Sequence, residues 1–89
     1  MGVEWRDSAD KHGVPREEAR FAILHAEGSG EVDGRPGQET FVYVGRRHEQ
    51  SLEYLEVIAA HLPPRTIVVF HVMVLTDKYR YLLYEGESS

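Results

Sequence analysis

Apolar and polar positions change period twice along the chain, and each change predicts a change of structure. Val3 to His12 has the polarity of a short helix, and Gly13 supplies a left-handed stop. Pro15 suits a first helical position, and Glu17 and Glu18 suit the positive first turn. Ala19, Ala22, Ile23 and Ala26 then recur at helical spacing, predicting a helix from Pro15 to about Ala26 that covers one face of a sheet. Gly28-Ser29-Gly30 is expected to end it.

From Glu31 the period shortens. Val32 is isolated, and Asp33-Gly34-Arg35-Pro36-Gly37 reads as a turn or flexible loop. The β-branched and aromatic run Thr40-Phe41-Val42-Tyr43-Val44 predicts a strand continuing to about Arg47, with Arg46 to Gln50 as a hairpin connection. Leu52 to Leu62 leaves two readings open. Leu52, Leu55, Ile58, Ala59 and Leu62 fit a helical stripe with Ser51 as its cap, whereas Pro63-Pro64 leads straight into another strand, as a hairpin connection would. We take the segment as a strand.

Ile67, Val69, His71, Met73 and Leu75 alternate with Val68, Phe70, Val72 and Val74, so both faces are apolar and the strand belongs in the middle of a sheet. Asp77 to Tyr84 reads as a short terminal helix capped by Thr76 or Asp77, with Tyr79, Leu82 and Leu83 facing inward. Glu85 to Ser89 is expected to fray. Two helices, then three or four mostly antiparallel strands, then a short helix predict an α+β fold in a single domain spanning residues 1–89.

Composition narrows the chemistry. The chain has no cysteine, which removes disulfides, thiolate metal sites and cysteine nucleophiles. Ten Lys and Arg against fifteen Asp and Glu give a formal charge of −5, against a generic nucleic-acid binder acting through bulk charge. Residues 1–39 hold five basic and nine acidic side chains and residues 40–89 hold five and six, so the acidity lies mainly in the first half. The start is charged within four residues, unlike a secretory signal, and Arg6 stands where a myristoylation pattern wants Ser or Thr. The longest apolar run, Thr66 to Leu75, is about half a membrane helix. A cytoplasmic protein without a membrane partner is expected.

Five histidines stand at positions 12, 25, 48, 61 and 71, none paired at helical ligand spacing, so neither a metal nor a cofactor is expected. Gly28-Ser29-Gly30 lacks the strand that precedes a phosphate loop, and Ser8, Ser29 and Ser51 have no nucleophile-elbow setting. His71 lies within an apolar strand. It is either a core histidine satisfied by one hydrogen bond or a titratable group held on a rigid strand for acid–base work.

Arg46, Arg47 and His48 at one strand end, and Lys78 and Arg80 at the start of the terminal helix, could converge at one rim beside Tyr79 and Tyr81; the alternative is a solvated charged rim. Cutting RNA without a metal needs a base for the 2′-hydroxyl, cations for the phosphate and an acid for the leaving oxygen. Histidine, lysine and arginine supply these roles, and tyrosine rings can stack on a splayed base.

Lys11-His12-Gly13-Val14 followed by Glu17-Glu18-Ala19, and then Phe41-Val42-Tyr43-Val44-Gly45-Arg46, resembles the pattern of BrnT-like toxins of bacterial type II toxin–antitoxin modules. Val69-Phe70-His71-Val72-Met73 with Lys78-Tyr79-Arg80 and Leu82-Leu83 is similar to small actinobacterial relatives of that group. The resemblance implies a RelE/ParE-like fold, with N-terminal helices packed on an antiparallel sheet. It also implies ribonuclease activity neutralised by a small DNA-binding antitoxin, through which any oligomer would form. His71 would be the acid–base group, with Lys78, Arg80 and Arg46 as phosphate ligands; Arg47, His48, Tyr79 and Tyr81 would hold the substrate. A non-catalytic module that binds a partner through Tyr79, Tyr81 and Tyr84 is the competing expectation.

Overall fold

Three strands of strong β character build the centre. In the computed structural model, which describes residues 2–34 and 36–85, β3 (Glu39–Arg46), β4 (Tyr54–Leu62) and β5 (Thr66–Val74) pair antiparallel in sequence order. The segment open to two readings is thus a strand from Tyr54 onward, and Leu52 lies outside it, 90% exposed.

The flanks differ from expectation. Val3 to His12 is no helix: β1 (Gly2–Trp5) runs parallel to β5, and a 3-10 turn (Asp7–Asp10) follows. Apolar β5 would otherwise leave one ladder of N–H and C=O groups unpaired. Val3 and Trp5 stand opposite Ile67 and Val69, and Arg6 N–H continues the ladder to the Val69 carbonyl at 2.9 Å. Gly28-Ser29-Gly30, expected to end a helix, belongs to β2 (Gly28–Val32), paired antiparallel with β3.

The sheet order is β1-β5-β4-β3-β2. The expected α+β, RelE/ParE-like arrangement of N-terminal helices on a three- to four-stranded sheet is therefore corrected. The domain is mainly a five-stranded mixed sheet, with one helix of more than two turns, α1 (Arg16–Leu24). The terminal helix also shortens: residues 77–80 are turns, and α2 (Tyr81–Glu85) is little more than one turn. Among the described residues no helix is long and apolar enough to cross a membrane.

Alternation sends each strand's odd and even residues to different covers. On one face Ala9, Val14, Ala19 and Ala22 bury Leu55, Val57, Ala59, Val69 and Val72. On the other, Leu75, Tyr79 and Leu82 lie over Val42 and Val44. The approach of α2 to β2 is so close that a Cβ at Gly28 would strike the Leu82 backbone carbonyl, whereas one at Gly30 would meet only the Leu82 Cδ2 methyl at 3.2 Å. Gly28→Ala should therefore cost about 1–3 kcal/mol in denaturant unfolding, the range for overpacking, and Gly30→Ala clearly less. Equal losses at the two positions would contradict this packing.

Candidate active site

The β4–β5 register sets Ile58 opposite His71 and Glu56 opposite Met73, all on the face that carries α2. Glu56 is only 2% exposed, a burial that a carboxylate tolerates only with partners for its charge. It has three. Thr76 donates its backbone N–H to Oε1 at 2.8 Å and its hydroxyl to the same oxygen at 2.6 Å. His71 Nε2 lies 2.9 Å from Oε2. Thr76 is in place because Leu75 N–H, bonded to the Tyr54 carbonyl at 2.9 Å, carries the chain on beside β4.

The His71 side chain is 27% exposed. Donation from Nε2–H to the carboxylate fixes the tautomer and leaves the lone pair on Nδ1, the arrangement of an oriented general base. A second imidazole stands beside it. The His12 ring meets the His71 ring edge-on, with centroids 5.8 Å apart and planes at 77°. The segment carrying His12 is closed by Arg16, which donates two hydrogen bonds to Asp10 at 3.1 and 2.7 Å and lies over the Trp5 ring at 5.5 Å. The hydrogen bond from Arg16 holds the Asp10 carboxyl below its usual pKa. Two imidazoles and a buried carboxylate thus occupy one place.

The expected cationic rim does not assemble around His71. Arg46 stands opposite Tyr54 on β4, four residues from Ile58, which places its backbone about 13 Å along the sheet from His71. Its Nε is 3.1 Å from Glu27, and its guanidinium lies 5.8 Å from the Tyr54 ring. Arg47 turns to the α1 side, held by Glu18 at 2.8 Å and by Glu53. Hydrogen bonds donated by Arg46 to Tyr54, and by Arg47 to Glu53 and Glu18, raise both guanidinium pKa values. His48 is exposed in the β3–β4 connection.

Lys78 and Arg80 are exposed in the turn that begins just after Thr76, at the Glu56 end of the site. Arg80 pairs with Asp77 at 3.1 Å, and Lys78 Nζ lies 5.3 Å from the Tyr79 ring centre. Tyr79 is 8% exposed in the core, so its ring is closed to a base, while Tyr81 is 49% exposed.

Two groups escaped sequence reasoning. Glu56 left a signal, a lone acid within the apolar run Leu55 to Ala60 of a strand covered on both faces. His12 left none in spacing, because its contact with His71 joins distant segments.

Beyond α2 the same sheet face forms a concavity of about 720 Å³. Thr40, Ala60 and Val68 make its floor, and Phe70, Arg6 and Asp33 stand among its walls. No family model matches the chain, and no curated protein matches it.

Proposed function

We propose that the chain is a metal-independent ribonuclease, the toxin of a bacterial type II toxin–antitoxin module acting in the cytoplasm, with His71 as its acid–base residue. The observation that carries this reading is the buried Glu56 carboxylate holding His71 Nε2 while the His12 ring packs against the His71 ring at 77°.

His71 Nδ1 takes the proton of a ribose 2′-hydroxyl. The freed oxygen bonds to the adjacent phosphorus, and the bond from phosphorus to the 5′-oxygen breaks. Protonated His12 gives its proton to that leaving oxygen, and the products are a 2′,3′-cyclic phosphate and a free 5′-hydroxyl. Two general acid–base groups of this kind contribute about 10²–10⁴-fold each. Lys78 and Arg80, exposed in the turn after Thr76, are the cations this reading assigns to the phosphate. The resemblance to BrnT-like toxins supports a small DNA-binding antitoxin as the partner.

Strong expression of the wild-type chain is expected to arrest growth, and His71→Ala to relieve the arrest at equal soluble level. Normal growth with abundant soluble wild type counts against the proposal. One observation favours the competing reading of a non-catalytic interaction module: Tyr81 and Tyr84 are 49% and 60% exposed on α2. Tyr79, buried, takes no part in such a surface. Under that reading wild-type expression leaves growth untouched, and Tyr81→Ala weakens capture of the partner.

A further inference from the structure

We propose that the concavity beside the two imidazoles seats a guanine base of the RNA, stacked on Phe70 and read by Asp33, with Arg6 on a neighbouring phosphate. This rests on the reading of His71 as the RNA-cleaving residue.

The concavity draws lining residues from the two segments that carry the imidazoles. On β5, Phe70 directly precedes His71. On the N-terminal segment, Arg6 and Ser8 line the groove, and the same segment leads on to His12. The two segments are joined where the Ser8 hydroxyl donates to the Phe70 carbonyl at 2.6 Å. A chain held at His71 therefore has its neighbouring nucleotide at the groove.

The lining fits a base better than a flat apolar ligand. Phe70 is half-buried and is the single aromatic ring of the groove, the platform that base stacking requires. Thr40, Ala60 and Val68 on its floor are small side chains only 1–4% exposed, so the base stacks on Phe70 and not on them. At the wall, Asp33 is an acceptor only. Among the bases, guanine alone offers two adjacent N–H donors, N1–H and N2–H, to the two oxygens of one carboxylate. Cytosine and adenine set an amine beside an acceptor that would face the same charge. The Gln38 amide, also in the lining, can donate to guanine O6. Neither Arg6 nor Asp33 enters an ion pair among the described residues. A guanidinium is suited to paired hydrogen bonds with phosphate oxygens.

The test uses the full chain carrying His71→Ala, which separates binding from cleavage. Guanosine 3′-monophosphate and cytidine 3′-monophosphate are titrated and followed by amide NMR shifts. The guanosine nucleotide is expected to move the Ser8, Thr40, Ala60 and Phe70 amides and to bind roughly tenfold tighter or more, the discrimination of one paired base contact. Asp33→Asn, at an exposed position, should keep the fold and reduce the preference to roughly threefold or less. Equal affinities, shifts confined to another surface, or a preference untouched by Asp33→Asn overturn the proposal.

The two readings fail separately. If the nucleotide binds as expected but the wild type leaves RNA whole, the ribonuclease fails and the groove stands as a nucleotide site. If the wild type cuts RNA with no base preference, the groove assignment fails and the ribonuclease stands.

Discussion

Glu56→Ala is expected to be the most damaging single substitution in the chain. Each buried donor left without its acceptor typically costs about 1–3 kcal/mol. Here three donors are stranded: the N–H and hydroxyl of Thr76 and Nε2 of His71. At roughly 0.05–0.15 kcal/mol per residue, such a loss takes a large share of the stability available to a domain of this size. Denaturant unfolding measures it directly.

Glu56→Gln isolates the chemical role. Its carbonyl oxygen can still accept from Thr76, so the stability loss should stay near the roughly 1 kcal/mol of an ordinary buried hydrogen bond. Its amide then presents N–H to His71 Nε2, which must become the acceptor, and the proton moves to Nδ1. The lone pair that faces the substrate is lost. Cleavage should fall toward the level of His71→Ala, about 10²–10⁴-fold below wild type. Imidazole ¹⁵N shifts should report the exchanged tautomer, a change that a purely structural carboxylate would not produce. A folded Glu56→Gln protein with full activity would remove Glu56 from the mechanism.

The second large effect lies in the core. Leu55→Ala should cost about 2–5 kcal/mol, the range for truncating a buried leucine. Leu55 is fully buried on the central strand, under α1. Leu52→Ala, three residues earlier, should change stability by less than about 0.5 kcal/mol, since an exposed side chain leaves no cavity. Chemical unfolding of the pair checks both. Comparable losses at the two positions would mean that residues 52–55 pack as one stripe, as a helix would present them.

That pair shows how far the pattern alone reaches. Leu52, Leu55 and Ile58 suit a helical stripe, yet β4 begins after Leu52, and alternation then sends Leu55 under α1 and Ile58 to the other face. β3 and β5 were legible because their residues alternate and carry β-branched or aromatic side chains. The helix read from the alanine spacing at 19 and 22 forms over Arg16–Leu24, slightly shorter at each end. β1 was not legible: four residues with one charge carry little periodic signal, and their strand form is imposed by the open ladder of β5. β2 was hidden by its glycines, which read as punctuation but serve the close approach of α2.

The site divides the same way. His71 was visible as a polar residue in an apolar strand. The grouping of Arg46 with Arg47 followed from adjacency in sequence, but in a strand neighbours point to opposite faces, and each found a glutamate there. Likewise, the aromatic share expected of Tyr79 is overturned by its burial, which leaves Tyr81 and Tyr84 as exposed rings there.

The central claim is most directly tested on purified protein. Wild type, His71→Ala and His12→Ala, each shown folded by circular dichroism, are incubated with RNA in excess chelator, and the ends of the fragments are identified. Metal-independent cutting by the wild type that leaves 2′,3′-cyclic phosphates, with both variants reduced about 10²-fold or more, is the predicted result. RNA left whole by the folded wild type, or cut equally well by His71→Ala, would contradict it.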